Sequence, residues 1–396
     1  MSARNGYEGN LWKLMGIRLL FWMHFFAAVM IPFFTEWGGL KLSEVLFLNS
    51  WFMLWNFILE VPTGTVADFL GRRASLMAGS LVAAAAALLY VSKPDFYVFL
   101  AAEVVFAAAY TLHSGADEAL AYDSLKAAGL ESGAKRTLTA MESFKLGGVV
   151  IGAVAGGFIA GCFGYDAPMR FYVLPALAAF ALACMLKEPP VREAGTPRPS
   201  YTDILREGGR FFATNRVLLV MTAELAVTNA LAWGLIWLFQ PLLAAAGLPV
   251  EYYGVVHAAA CFGQIVFLSN VERLEGLVGS KRRLLTASVL TAGGAFVLLG
   301  LTDNLAAVAV LIVAGFTFSL PRVPIFSAYM NRYIPSDKRA TVLSATSMCR
   351  TLAIVAVNPL VGLLADWSVA NTMIILGAGL IAGGVFSRLE ERHLEG

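Results

Sequence analysis

Long apolar runs separated by short polar loops dominate the chain. A helix needs about 20 mostly apolar residues to cross a bilayer, and twelve stretches approach or exceed that length. The first six are Arg18–Phe34, Leu42–Ala67, Ala74–Val91, Phe96–Tyr122, Leu138–Phe163 and Met169–Leu186. The second six are Val217–Leu243, Tyr252–Asn270, Leu284–Leu301, Leu305–Tyr329, Ala340–Ala365 and Val369–Phe386. Several overshoot the minimum, which predicts tilted or protruding helices. The longest polar stretch, Lys187–Arg216, carries Pro189, Pro190, Pro197 and Pro199 and then TDILREGGRFF. It reads as a proline-rich linker followed by a short amphipathic helix lying on the membrane face. The predicted architecture is all-α and integral to the membrane, with twelve transmembrane helices in two pseudo-symmetric bundles. The six-helix bundles occupy 1–186 and 217–396, with the linker over 187–216 between them.

Charge sidedness fits the even count. With both termini on one face, the opposite loops hold only Lys41, Lys93 and Arg170, while Lys145, Arg322 and Arg350 fall within spans. The other 23 of the 29 basic residues, Arg18 among them at the head of the first span, lie on the terminal face. The positive-inside rule makes that face cytoplasmic, as expected for a multi-pass protein of the inner cell membrane. The first apolar stretch has no small-residue cleavage site after it, so it reads as a retained helix rather than a signal peptide.

Composition narrows the class further. Hydrophobic residues make up 58% and charged residues 14%, against about a quarter charged in soluble domains. A soluble enzyme is thereby disfavoured. A net charge of +2 without a basic run excludes a nucleic-acid partner, and 4 cysteines exclude a disulfide scaffold. Cys162, Cys184, Cys261 and Cys349 lie in or beside apolar runs and read as packing residues. No metal site and no cofactor is expected. His24, His113, His257 and His393 are scattered without HExxH spacing, and no GxxxxGK[ST] string is present. An integral-membrane enzyme lacks its clustered chemistry here.

A weak internal repeat supports two related halves. GAKRTLTAMESF opens the fifth span and SDKRATVLSATSM the eleventh, so that Lys135-Arg136 corresponds to Lys338-Arg339. Ala121-Tyr122 likewise corresponds to Ala328-Tyr329. Duplicated halves are a recurrent transporter design, with the binding site at the interface between repeats.

The most specific string is EVPTGTVADFLGRR, Glu60–Arg73, at the end of the second span. Gly64 permits close helix approach. Asp68 follows four residues later, Gly71 allows a tight turn, and Arg72 and Arg73 add positive charge. This G-x3-D-x2-G-R-R spacing in a twelve-span chain resembles the signature loop of the major facilitator superfamily. The resemblance implies alternating access, with the loop acting as a cytoplasmic latch. It implies that Asp68 faces the start of the eleventh helix, where a carboxylate suits the helix dipole, and that Arg72 pairs with an acid ending the fourth. Asp123, in LAYDSL, stands at that place. The corresponding second-half loop, VERLEGLVGSKRRL, keeps Gly279 and Lys281-Arg282-Arg283 without an aspartate at matching spacing.

GVVIGAVAGG in the fifth span resembles the superfamily's antiporter motif G-x3-G-P-x2-G-G. Gly148, Gly152, Gly156 and Gly157 match, and Ala153 replaces the proline. Ordinary small-residue packing explains the same glycines. In the fourth span Glu103 aligns where many proton-coupled members carry an arginine, which reverses the charge.

Charged residues within spans are functional candidates by default. The acids are Glu60, Glu103, Asp117, Glu118, Glu142 and Glu224; the bases are Lys145, Arg322 and Arg350. At 100° per residue, Glu103, Tyr110, Ser114 and Asp117 share one helix face, as do Asn49, Asn56, Glu60 and Thr63. Tyr253, His257, Cys261 and Gln264 line another, and Asn229, Trp233 and Gln240 roughly a fourth. Glu142 and Lys145, three apart, are suited to neutralise each other. Three readings stay open. First-half acids and aromatics receive a cationic amphiphile, with proton exchange at a buried carboxylate; or Arg322 and Arg350 hold an anion; or one of these arginines bridges to Asp117, Glu118 or Glu60 as a gate. The expected protein is a monomeric secondary transporter of a small organic solute, embedded in the lipid bilayer and driven by protons. The expected direction is efflux, with uptake or exchange of an anionic metabolite as the alternative.

Overall fold

The computed structural model describes residues 7–189, 206, 209–210, 215–335 and 339–395, except for the side chains of Asp68, Ala340 and Glu395. The linker expected over 187–216 falls almost wholly outside the described residues, as does Lys338 of the repeat. The described chain is helical, with no strand among the described residues. We number the twelve long elements α1 (Glu8–Phe21), α2 (Leu42–Leu70), α3 (Arg72–Tyr90), α4 (Phe96–Ala128), α5 (Ala134–Phe163) and α6 (Ala167–Cys184). They continue as α7 (Arg216–Ala245), α8 (Tyr253–Ser269), α9 (Lys281–Leu299), α10 (Leu305–Met330), α11 (Arg339–Trp367) and α12 (Val369–Val385). Ten of them, α2 to α11, are long and apolar enough to cross a membrane, and α12 is a shorter apolar helix. Beyond α1 the chain continues as short 3-10, α and π turns through Trp37, completing the first of twelve segments. Large side chains such as Phe69, Phe163, Val310 and Leu360 are exposed on the protein, as a bilayer-embedded surface requires.

Side-chain caps start the helices where the sequence places polar residues before apolar runs. Asp95 accepts from the Tyr97 amide, Asn215 from Leu218, Ser280 from Arg283, Asn304 from Ala307 and Ser368 from Asn371. Two helices are interrupted. α4 breaks between Phe96–His113 and Ala116–Ala128, where Gly115 takes φ 72°. α10 breaks between Leu305–Ser319 and Arg322–Met330, where Pro321 intervenes.

The chain forms two compact units. One comprises Met1–Leu40, Trp51–Arg198 and Val250–Gly254. Its core gathers Leu14, Ile17, Leu76, Leu120 and Met141. The other comprises Lys41–Ser50, Pro199–Pro249 and Val255–Gly396. Its core gathers Leu218, Met221, Phe326 and Val342 with Leu389 and Leu394 from the chain beyond α12. The first turns of α2 thus build into the second unit: Asn49 Oδ1 accepts from Trp233 Nε1 at 3.1 Å and from Asn358 Nδ2 at 2.7 Å.

Candidate functional site

The glycines of α5 are seats for backbone. A Cβ at Gly148 would lie 2.2 Å from the Leu19 carbonyl oxygen, and one at Gly156 only 1.7 Å from that of Phe25. At Gly152 it would meet the His24 amide nitrogen at 2.8 Å, and at Gly157 the Glu251 carbonyl oxygen at 2.7 Å. Gly148, Gly152 and Gly156 therefore let the end of α1 and the irregular residues after it lie against α5. Tyr172 fixes the same turn by donating to the Phe21 carbonyl at 2.8 Å.

This close packing brings Arg18 of α1 to the break in α4. Arg18 is not at the head of its helix, as the hydropathy pattern suggests, but in the last turn of a helix that begins at Glu8, and it is only 9% exposed. Its Nε lies 2.7 Å from Asp117 Oδ2, its Nη2 donates to Glu118 Oε1 at 2.6 Å, and its Nη1 reaches Glu142 Oε2 at 3.5 Å. Glu142 Oε1 accepts from Lys145 Nζ at 2.9 Å, and that ammonium sits 4.5 Å from the centre of the Trp22 ring. The centre holds three carboxylates and two cations. Because α4 is interrupted at Gly115, the expected continuous face from Glu103 to Asp117 does not form. Glu103 is buried and meets the Tyr90 hydroxyl of α3, while Asp117 meets α1.

A second centre lies in the other unit. Arg322, 3% exposed, donates from Nη2 to Glu224 Oε1 at 3.1 Å and from Nη1 to the Leu285 carbonyl at 2.6 Å and Ser288 Oγ at 3.2 Å. Glu224 Oε2 accepts from Ser387 Oγ at 2.5 Å. One of the three open readings is a gate bridge from Arg322 or Arg350 to Asp117, Glu118 or Glu60; the partners of Arg322 among the described residues lie within its own unit. Glu60 is exposed and accepts weakly from Ser114 Oγ at 3.4 Å. Arg350 is partly buried and donates to Ser347 Oγ at 3.4 Å.

The loop after α2 is held firmly. Gly71 has φ 93°, which glycine tolerates. The Arg72 and Arg73 amides at the start of α3 donate to the two oxygens of Glu188 at 2.9 and 2.8 Å. Arg72 pairs with Asp123, as the family resemblance implied, and donates to the Ala119 carbonyl at 2.9 Å. Arg73 Nη2 donates to the Cys184 carbonyl at 2.7 Å. Gly64 is buried in α2, and the Asp68 side chain lies outside the described residues. The second unit caps α9 in the same way: Glu391 accepts from the Lys281 amide at 2.8 Å, the Arg282 amide at 3.0 Å and Ser280 Oγ at 2.5 Å. Burial works to raise the Glu391 carboxyl, but these donors outweigh it and hold the group below its usual range.

The remaining candidates are dispersed. Tyr110 packs edge-on against Trp22 at 5.1 Å and Phe52 at 5.9 Å. His257 stacks on Phe316 at 6.1 Å. Gln264 bonds the Ala260 carbonyl of its own helix at 3.4 Å. Asn56 and Trp233 are partly buried. Among the described residues, no His, Cys, Asp and Glu group is arranged to hold a metal ion. Sequence reasoning missed Arg18 and the capping acids Glu188 and Glu391.

Membrane-length helices joined by buried ion pairs define a polytopic helical membrane protein. The profile of the Major Facilitator Superfamily matches residues 14–358, and the chain belongs to that superfamily. Solved structures agree in fold. A crystal structure of the nucleoside transporter NupG has 12% identity and TM-score 0.78, covering 95% of this chain and 97% of that one. The D-xylose–proton symporter has 14% identity and TM-score 0.74, covering 97% and 98%. An inward-facing, unoccupied bacterial homologue of the human lysosomal transporter Spinster has 15% identity and TM-score 0.70, covering 100% and 97%. No curated protein matches the sequence.

Proposed function

We propose that this transporter moves a small organic solute by alternating access and couples the movement to protons at the Arg18 centre. The supporting observation is the charge imbalance: among the described residues, Asp117, Glu118 and Glu142 form ion pairs only with Arg18 and Lys145. Unpaired charge within membrane-spanning helices is costly, and a proton on one carboxylate removes the excess. The efflux expectation rested on the α5 glycines and on the aromatic content of the helix faces, and aromatic content does not set a direction. Those glycines serve packing, which either direction requires, so the proposal is coupling without a direction. The loop Gly64–Arg73 with Asp123 acts as the cytoplasmic gate element in this reading. Distance measurements should then show Asp68→Asn shifting the conformational population.

A second reading, uptake or exchange of an anionic metabolite, is favoured by Arg350, a partly buried guanidinium with one weak hydroxyl contact. A thermal-shift screen of the purified protein against cationic, anionic and neutral compounds supplies ligands for flux in proteoliposomes. Asp117→Asn should abolish flux driven by a pH gradient while leaving solute exchange. If Asp117→Asn, Glu118→Gln and Glu142→Gln all retain pH-driven flux, the coupling centre is elsewhere.

A further inference from the structure

The ammonium of Lys145 sits in a site it fills incompletely. It lies 4.5 Å from the Trp22 ring centre and donates to Glu142 Oε1 at 2.9 Å. Among the described residues it meets no other acceptor, although an ammonium carries three donors. The Trp22 face continues into an aromatic wall: Tyr110 stands edge-on to Trp22 at 5.1 Å, and Phe52 edge-on to Tyr110 at 5.9 Å. An indole face is the strongest side-chain partner for an organic cation, and the carboxylate beside it supplies the counter-charge. The side chains of Glu142 and Lys145 retain 48% and 27% exposure, so the pair is open to an incoming molecule. A lysine three residues from its glutamate on a helix is held by a single, partly solvent-open ion pair. Its flexible stem lets it swing away at little cost.

We propose that Trp22 and Glu142 form a subsite for an organic cation with an aromatic or apolar body, and that Lys145 is its built-in occupant. The cationic head displaces the Lys145 ammonium from the indole face and the carboxylate, while the body lies along Tyr110 and Phe52. Lys145 keeps the site neutral between cargoes and competes with weak cations. This deepens the transporter reading above by naming its cargo class.

The test is equilibrium binding of benzyltrimethylammonium to the purified full chain, with neopentylbenzene as the neutral isostere. Lys145→Met should bind the cation about tenfold more tightly than the unaltered chain, the scale of one cation–π contact freed of its competitor. Lys145→Arg, which keeps a competing cation, should not. Trp22→Leu added to Lys145→Met should remove the gain, and the neutral isostere should show none of these differences. In the unaltered chain, saturating benzyltrimethylammonium should increase acylation of the Lys145 amine, a readout that needs no variant. Unchanged Lys145 labelling, or a gain that survives Trp22→Leu, overturns the subsite. Binding is read without flux, so its failure with pH-driven flux intact removes the subsite alone. Tight binding without pH-driven flux removes the coupling proposal alone.

Discussion

Arg18 in α1 and Glu224 in α7, the first helix of each series of six, carry opposite charges. Each is paired with a residue just past the break in the fourth helix of its own series, Asp117 after Gly115 and Arg322 after Pro321. The design of one pair is thus repeated with its polarity reversed. A break in a helix frees backbone groups and lets a polar side chain turn inward, which is why both charges sit in the first turn after it.

Arg18 is shared by three acids, so its removal should be severe. Arg18→Gln leaves Asp117 buried without its counter-charge, a change that costs about 3–5 kcal/mol in buried pairs. Thermal unfolding in detergent should record the loss. Asp117→Asn in the same chain should recover much of it, because the uncompensated charge is then gone. A single variant as stable as the unaltered protein would show that Arg18 does not hold this junction.

The second pair should behave differently when both members go. Arg322→Met alone leaves Glu224 charged beside Ser387, and a loss of similar size, about 3–5 kcal/mol, is expected. Glu224→Leu with Arg322→Met replaces the pair by apolar groups and should return stability to within about 1 kcal/mol of the start. A double-mutant cycle on unfolding midpoints measures this. Strict additivity of the two losses would refute coupling between the residues.

Much of the fold was legible in the sequence, for physical reasons. Apolar runs of bilayer length can hardly be anything but spans, and the Arg72–Asp123 pair followed from a motif with few alternative meanings. Arg18 was not legible from hydropathy. A charge at the edge of an apolar run reads as a helix end, and the acids that neutralise it come from α4 and α5, far away in sequence. The face shared by Glu103 and Asp117 failed because helical periodicity assumes an unbroken helix, and Gly115 interrupts α4. Arg322 was assigned three possible partners, yet helical spacing does not say which helices are neighbours.

The chain beyond α12 should loosen in acid. Glu391 joins it to the start of α9, while Leu389 and Leu394 are buried and Ser387 bonds Glu224. The native environment holds the Glu391 carboxyl below its ordinary value of 4.5. A depressed carboxylate contributes stability above the unfolded value and loses it as pH falls through the folded one. Amide hydrogen exchange across Ser387–Leu394, corrected for intrinsic rates, should therefore be flat near neutrality and rise only below about pH 4.5. In Glu391→Gln the rise should disappear and exchange should be faster throughout, consistent with about 1 kcal/mol for a lost cap. An acid-induced rise of equal size in that variant would assign the effect to another group.

Two glycines of α5 offer a matched test of close packing against helix propensity. At Gly156 an added Cβ would stand 1.7 Å from the Phe25 carbonyl oxygen, 2.6 Å from its carbon and 2.9 Å from its Cα. All three atoms are backbone, so no rotamer change relieves the clash, and the irregular chain after α1 must move away from α5. At Gly147 the added Cβ meets nothing within 4 Å. Alanine is favoured over glycine inside a helix by roughly 1 kcal/mol, and at Gly147 nothing opposes that preference. Gly147→Ala should leave the unfolding temperature unchanged or raise it. Gly156→Ala should lower stability by about 3 kcal/mol, the upper range for overpacking. It should also weaken the Arg18 centre, because the chain displaced from α5 directly follows the helix that carries Arg18. A Gly156→Ala protein as stable as Gly147→Ala would mean that α1 and α5 are not held at backbone distance, and the account of how Arg18 meets its acids would fail with it.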